Sequence, residues 1–269
     1  MLIGFTRMYL FEDSFRIKGG GGYGNINFQY FNEDLGPEGS FVNYTSTAWF
    51  LAVTPLFRIS GGWYLGPDYS YLNVATEFEG MAATDDRRTY ASIGAAAEYD
   101  SRLNKTYPFD GLYCTIRVRR YADWLGSASE YTKLRLEANR YISYDTVSVV
   151  ALRASINAAL GVVPFEAQTV VGTGKDIRGY GEGKHRGDQL YSIQGEYRWN
   201  FKPPFGAVGF IGFALPVNQG EPLTLDAILP GIGVGFRYTM IPEIHANVGI
   251  DVAVGRQDYG IYFRIGEAF

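Results

Sequence analysis

The stretch Gln189-Leu190-Tyr191-Ser192-Ile193-Gln194-Gly195-Glu196-Tyr197-Arg198-Trp199-Asn200-Phe201 alternates between polar and apolar residues. Successive side chains of a β-strand point to opposite faces. Tyr191, Ile193, Tyr197, Trp199 and Phe201 therefore share one face, and Ser192, Gln194, Glu196, Arg198 and Asn200 share the other. A strand of a membrane barrel shows lipid one face and its lumen the other, so it must alternate in this way. A soluble β-sandwich alternates too, but its polar face carries many Lys and Glu. Here the polar side is rich in Arg, Gly, Ser and Asn, which suits a hydrated lumen.

The same period runs outward from this segment. Ile244, Ala246, Val248, Ile250, Val252 and Val254 oppose His245, Asn247, Gly249 and Asp251. Tyr259, Ile261, Phe263, Ile265 and Phe269 oppose Gly260, Tyr262, Arg264, Gly266 and Ala268. Upstream, Leu152, Ala154, Ile156 and Leu160 oppose Arg153, Ser155 and Asn157, and Leu112, Cys114, Ile116 and Val118 oppose Tyr113, Thr115, Arg117 and Arg119. Ile232, Val234, Phe236 and Tyr238 oppose glycines and Arg237. These strands have about the 10–14 residues that a tilted strand needs to cross a bilayer. About thirteen segments are expected: 2–11, 15–31, 41–53, 57–77, 88–100, 111–121, 130–142, 147–160, 189–201, 206–217, 228–240, 244–254 and 258–269. Single-chain bacterial barrels normally have an even count, so 2–11 is a partial strand or one strand is missing upstream. The run Gly19–Gly22 is expected to break register as a bulge or bend.

Connections come in two lengths. Thr54–Pro55, Ser143–Tyr144–Asp145, Lys202–Pro203–Pro204 and Ile241–Pro242 are short; 32–40, 78–87, 122–129, 161–187 and 218–227 are long. Such barrels place short turns at the periplasm and long loops outside. With Phe269 at the periplasmic end, each falls on its expected side except 101–110, a long periplasmic connection. The expected fold is all-β: a transmembrane antiparallel β-barrel of about 12–14 strands, one domain over 1–269, with a long lumen-directed loop.

Composition agrees. Hydrophobic residues make up 46 % and charged residues 19 %, against the ~25 % charged residues usual in soluble domains. The 34 glycines, 21 tyrosines and 18 phenylalanines suit twisted strands and aromatic girdles. The net charge of −4 argues against a nucleic-acid partner. The single cysteine, Cys114, rules out an internal disulfide and any cysteine-based metal site; on its strand it reads as a small hydrophobe. No run approaches the ~18 apolar residues of a transmembrane helix. The opening MLIGFTRMYLFEDS lacks the plan of a signal peptide. Because such a protein must be exported, Met1 is not expected to be the natural start, and an N-terminal strand or periplasmic domain is expected upstream.

The longest loop holds Asp176-Ile177-Arg178-Gly179-Tyr180 and then Gly181-Glu182-Gly183-Lys184-His185-Arg186-Gly187-Asp188, followed by Gln194-Gly195-Glu196-Tyr197-Arg198-Trp199. Upstream lie Tyr99-Asp100-Ser101-Arg102 and Tyr107-Pro108-Phe109-Asp110-Gly111. These stretches, and the ending Gly260–Phe269, resemble the BamA/TamA/FhaC superfamily of outer-membrane assembly and secretion barrels. In that family an [VI]RG[FY] loop precedes a strand with Glu-Tyr-Arg-aromatic, and a "YDsRdn…P.rG" turn explains the long periplasmic connection. The resemblance covers most of 15–269. It implies that the loop folds back into the lumen with Ile177, Arg178, Gly179 and Tyr180 at its tip, Arg178 being paired to an acidic wall residue. The family's usual partner is an Asp in a Phe-x-Asp pattern on the second strand after the loop. That segment here reads Phe210-Ile211-Gly212-Phe213, so the aspartate is absent, and Glu196 and Asp251 are the candidate substitutes. The resemblance also makes Tyr259, Phe263 and Phe269 a C-terminal insertion signal.

The expected lumen carries Arg16, Lys18, Arg58, Arg117, Arg119, Lys133, Arg135, Arg153, Arg198, Arg237 and Arg264 against Glu98, Asp100, Glu137, Glu196 and Asp251. Such an excess of cations either favours anionic solutes and acidic segments or forms a structural ion-pair ladder. Gly172-Thr173-Gly174-Lys175 has the wrong spacing for a phosphate loop. A hydrolase would need a His–Ser or His–Asp constellation; the two histidines, His185 and His245, suggest none, and no Gly-x-Ser-x-Gly occurs. No catalytic residue, cofactor or metal is expected. The resemblance implies polypeptide insertion or translocation in the outer membrane of a Gram-negative-type bacterium. The alternative is a pore or membrane-anchor subunit. The implied partners are outer-membrane lipids, polypeptide cargo, the barrel-assembly machinery and further membrane-complex subunits.

Overall fold

In the computed structural model the described residues are 2–32, 40–78, 87–174, 176–222, 224–242 and 246–269. Most of the expected loops 32–40 and 78–87, together with Lys175, Ile244 and His245, lie outside them. The strands are β1 (Leu2–Leu10), β2 (Phe15–Asn32), β3 (Ser40–Ser60), β4 (Trp63–Phe78), β5 (Arg87–Asp100), β6 (Gly111–Tyr121), β7 (Tyr131–Ser143), β8 (Ser148–Gly161), β9 (Thr169–Val170), β10 (Arg186–Gly187), β11 (Gln189–Lys202), β12 (Phe205–Val217), β13 (Leu229–Ile241), β14 (Ala246–Gly255) and β15 (Asp258–Ile265). Thirteen form one sheet in chain order, with β8 next to β11; β9 and β10 pair separately. No helix among the described residues is long and apolar enough to cross a membrane.

The burial pattern is inverted relative to a water-soluble protein. Buried side chains include Arg16, Asp68, Glu98, Arg153, Glu196, Arg198, Arg237 and Asp251, while Ile193, Trp199, Ile211, Phe236, Ile250 and Phe263 are exposed. An isolated charge is buried only at high cost unless paired, and each of these charges has a partner.

Three expectations about the sheet are corrected. Thr54–Pro55 is not a turn: β3 runs through it to Ser60, and Gly61–Gly62 makes the turn into β4. The segment expected at 57–77 is therefore split between two strands. The register Val53↔Tyr69 and Phe57↔Leu65 sets Pro55 opposite Pro67. Neither proline has an N–H to give the ladder, so the rungs lapse there while the strands continue. Second, Gly19–Gly22 breaks no register: Thr6↔Gly19 to Ile3↔Gly22 is continuous on one side, and Gly19↔Val53 to Gly22↔Phe50 on the other. The missing side chains make room instead, since a Cβ on Gly20 would lie 2.5 Å from Phe5 Cδ1. Third, Phe269 does not close the last strand. β15 ends at Ile265, and Gly266 takes φ +84°, a conformation that L side chains rarely adopt. The turn reverses the alternation, so the Glu267 side chain keeps only 3 % exposure and Phe269 is partly buried, its ring 5.5 Å from the Arg153 guanidinium.

The chain divides into two compact units. In the first (1–98, 116–135 and 158–168), Val74, Tyr90, Tyr121, Tyr131, Ala159 and Ala167 form a core in which the Tyr121 and Tyr131 rings stack at 4.1 Å. Arg16 Nη1 donates to Glu98 Oε1 at 2.5 Å and Lys18 donates to the same carboxylate. Asp68 accepts from Thr54 (2.7 Å) and pairs with Arg117 (2.8 Å) and Arg119. The start of the long loop is tied down here. Tyr90 donates its hydroxyl to Glu166 at 3.1 Å, and Lys133 Nζ donates to the Ala167 carbonyl at 2.9 Å. The second unit is 99–115, 136–157 and 169–269. Within it the 101–110 connection is held by Arg102 Nε on Asp100 (2.8 Å) and by Asn104 Oδ1, which accepts from the Thr106 and Tyr107 amides.

Candidate functional site

Residues 169–174 and 176–187 of the long loop fold back onto the polar face of β11–β14. The small β9–β10 ladder pins the stem, with the Val171 amide donating to the His185 carbonyl at 2.9 Å. Beyond it, Asp176 caps a turn by accepting from the Gly172 amide (2.9 Å) and the Thr173 hydroxyl (3.0 Å). Burial pushes its carboxyl above the ordinary carboxylate range, against those hydrogen bonds. Gln194 donates to the Asp176 carbonyl. Ile177 is fully buried with Val171, Tyr180, Leu190, Ala214 and Leu229, so an apolar plug sits beside the charged tip.

Arg178 reaches both candidate carboxylates. Nη2 donates to Glu196 Oε2 at 2.6 Å and Nη1 to Asp251 Oδ2 at 2.7 Å, and all three side chains have 0 % exposure. Two carboxylates against one planar guanidinium fork is the geometry arginine suits best. The guanidinium carbon also lies 3.3 Å from the Phe210 ring centroid, a cation–π contact strengthened where water is excluded. Each acid is shared: Glu196 with Arg198 (2.7 Å), Asp251 with Arg237 (2.5 Å) and Arg264 (2.6 Å).

The backbone of the tip needs space as well as charge. Gly179 has φ +106°, and its amide donates to the Tyr262 hydroxyl at 2.8 Å. Tyr180 donates its hydroxyl to the Pro230 carbonyl (2.6 Å) and accepts from the Arg256 amide (2.9 Å). A Cβ on Gly231 would collide with the Arg178 carbonyl, and one on Gly255 with the Tyr180 ring. Gly212, where the family pattern has aspartate, is part of the same cradle. A Cβ there would lie 3.0 Å from Ile177 Cγ2 and 2.8 Å from Gln194 Cγ. Ile177 fills that space, and the carboxylate comes from Asp251 on β14.

The structure thus brings together Ile177, Arg178, Gly179, Tyr180, Glu196 and Asp251. It keeps Tyr259 and Phe263 on the exposed face of β15, 73 % and 82 % exposed, and separates Phe269 from them. Sequence reasoning missed Phe210, Tyr262, Glu267 and Asp258, which accepts from the Gly181 amide at 2.9 Å, as contacts. Phe210 was available as the retained half of the Phe-x-Asp pattern. Glu267 was not, because simple alternation sends it to the lipid side. His185 lies 5.5 Å from Tyr180, ring to ring, edge-on.

Several solved structures share this fold. BamA from Haemophilus ducreyi lacking POTRA domains 1–3 is 14 % identical with a TM-score of 0.63, over 97 % of this chain and 59 % of that one. CdiB from Acinetobacter baumannii is 13 % identical with a TM-score of 0.65, over 94 % and 48 %. CdiB from Escherichia coli is 13 % identical with a TM-score of 0.64, over 94 % and 50 %. The chain therefore spans about half to three-fifths of the length of these proteins. No curated protein matches it in sequence. At these identities the likeness establishes the fold, a transmembrane antiparallel β-barrel. A family model described as the Omp85 superfamily domain matches residues 14–269. That span takes in the sheet from β2 onward, the Arg178 loop and both of its carboxylates, and the chain belongs to the Omp85 superfamily.

Proposed function

We propose that residues 1–269 act as one outer-membrane barrel domain of the assembly-factor type, inserting polypeptides into the membrane or passing them across it. Its role is non-enzymatic and its seat is the outer membrane of a Gram-negative-type bacterium. Its partners there are lipid, polypeptide cargo, the barrel-assembly machinery and other subunits of a membrane complex. The observation that carries this reading is the buried Arg178–Glu196–Asp251 cluster. A pore can also hold a loop inside its wall; the two readings differ in whether cargo folding responds. An assembly barrel needs a movable element held by strong but breakable pairs. Incoming chain would be templated on an end strand of the sheet, β1 or β15, each of which pairs with one neighbouring strand among the described residues.

The test uses vesicles holding the whole protein and a urea-unfolded eight-stranded outer-membrane protein as cargo, with folding followed by gel mobility. Wild type should speed folding over empty vesicles. Arg178→Ala should lose most of that gain while remaining folded itself. If wild type conducts ions but leaves cargo folding unchanged, the chain is a pore or anchor.

The C-terminal aromatics belong to the same proposal. Tyr259, Phe263 and Phe269 form the signal by which barrel-assembly machinery recognises this chain. Deleting Phe269 should leave the protein in the periplasm, degraded or aggregated; normal surface levels of the truncated protein would remove Phe269 from the signal.

A further inference from the structure

The ion pairs around Arg178 continue past the loop and return on themselves. Arg198 meets Glu196 at 2.7 Å, Glu196 meets Arg178 at 2.6 Å, and Arg178 meets Asp251 at 2.7 Å. Asp251 then meets Arg237 at 2.5 Å, Arg237 meets Glu267 at 3.1 Å, and Glu267 lies 3.8 Å from Arg198. Six groups of alternating charge make a ring, and every one is at most 3 % exposed. Four sit on β11, β13 and β14; the other two are Arg178 on the loop and Glu267 on the segment that leaves the sheet at Gly266. Glu267 lies beyond the β14–β15 ladder, which ends at Val248↔Ile265. Besides Arg237 and Arg198 the segment is held by Asn247 Nδ2 on Glu267 Oε1 (2.7 Å), Arg198 Nη2 on Phe269 O (2.8 Å), and the Gly266 amide on the Asn247 carbonyl (2.7 Å).

We propose that Glu267 is a positioning residue that couples the segment 266–269 to the docking of the loop tip. Each arginine that holds Glu267 also serves a carboxylate that holds Arg178. When Arg178 leaves, Glu196 and Asp251 keep only Arg198, Arg237 and Arg264 to neutralise them. Arg198 and Arg237 are drawn toward those acids, and their grip on Glu267 loosens. Linkage makes the effect mutual: releasing the segment must weaken the docked tip by the same factor. The end of β15 therefore senses whether the loop is seated. This rests on reading the Arg178 cluster as the working part of the site, and it adds a regulatory partner to it.

Amide hydrogen exchange on the whole protein in phospholipid vesicles tests the coupling, with Gly266 reporting on the segment and Gly179 and Gly181 on the tip. Arg178→Gln should raise exchange at Gly266 by about tenfold, within the 5–150-fold range of typical coupling. Glu267→Gln should do the same at Gly179 and Gly181. The double variant should exceed neither single variant, and Glu267→Asp should restore part of the protection. If each substitution loosens only its own end, or if the effects multiply in the double variant, the coupling is wrong. Should Glu267→Gln fail to fold, the Arg178→Gln arm decides alone: unchanged exchange at Gly266 overturns the proposal. Cargo folding measured on the same variants separates the two readings. Coupled exchange without any effect of wild type on cargo folding would retain the ring and remove the transport function.

Discussion

Asp68 in the first unit and Asp251 in the second are both fully buried aspartates, and they do different work. Asp68 on β4 is surrounded by strand residues: Thr54 on β3, and Arg117 and Arg119 on β6, whose side chains keep 26 % and 17 % exposure. It ties strands to one another. Asp251 on β14 accepts from Arg237 on β13 and Arg264 on β15, but also from Arg178, which belongs to a loop and has no exposure at all. Where all partners of a buried carboxylate lie on strands, the charges form a static lattice. Where one is carried by a loop, the same chemistry becomes a dock. The difference lies in what the partner's backbone is free to do.

The largest effect is expected at the dock. Asp251→Ala leaves three arginines around an emptied position, and breaking a buried pair typically costs ~3–5 kcal/mol. Urea unfolding in vesicles should report this loss, together with new protease cleavage in 176–181. A loss no greater than that of Asp68→Ala would end the distinction between dock and lattice.

Next in size is the neighbouring residue on the opposite face. Ile250 is 46 % exposed among apolar side chains, and Ile250→Arg should cost ~2–4 kcal/mol near the bilayer midplane. Spin labels at Tyr197, Trp199, Phe236, Ile250 and Phe263 should be shielded from water and reached by lipid-soluble relaxers. Water accessibility at these sites would show that the exposed face does not meet lipid.

Asp68→Ala should be the mildest of the three, at about 2 kcal/mol, because its arginines retain some access to water once the acid is gone. The long loop should stay protease-resistant. Cleavage near Arg178 in this variant would mean that the lattice and the dock are one network.

Much of this molecule can be read residue by residue. Period-two alternation is a local property of the chain, so the faces of 189–201, 246–254 and 259–265 follow from the order of residues alone. The tip Ile177–Tyr180 and the two candidate acids could be named for the same kind of reason: a motif, and two carboxylates on the polar parity of their strands. The turn at Gly61–Gly62 was legible as well, but Thr54–Pro55 drew the reading to the wrong place. A proline removes a donor without obliging an antiparallel strand to end.

What remained belongs to tertiary structure. That Arg178 takes Glu196 and Asp251 together depends on β11 and β14 being brought to the same loop, 18 and 73 residues away along the chain. That no aspartate is needed at 212 depends on Ile177 occupying the space of the missing side chain. That Glu267 turns inward depends on one left-handed glycine, which reverses the parity that alternation assigns. Alternation fixes which way a side chain faces while the strand lasts. Only the packed chain decides where a strand ends and which distant charges share a buried position.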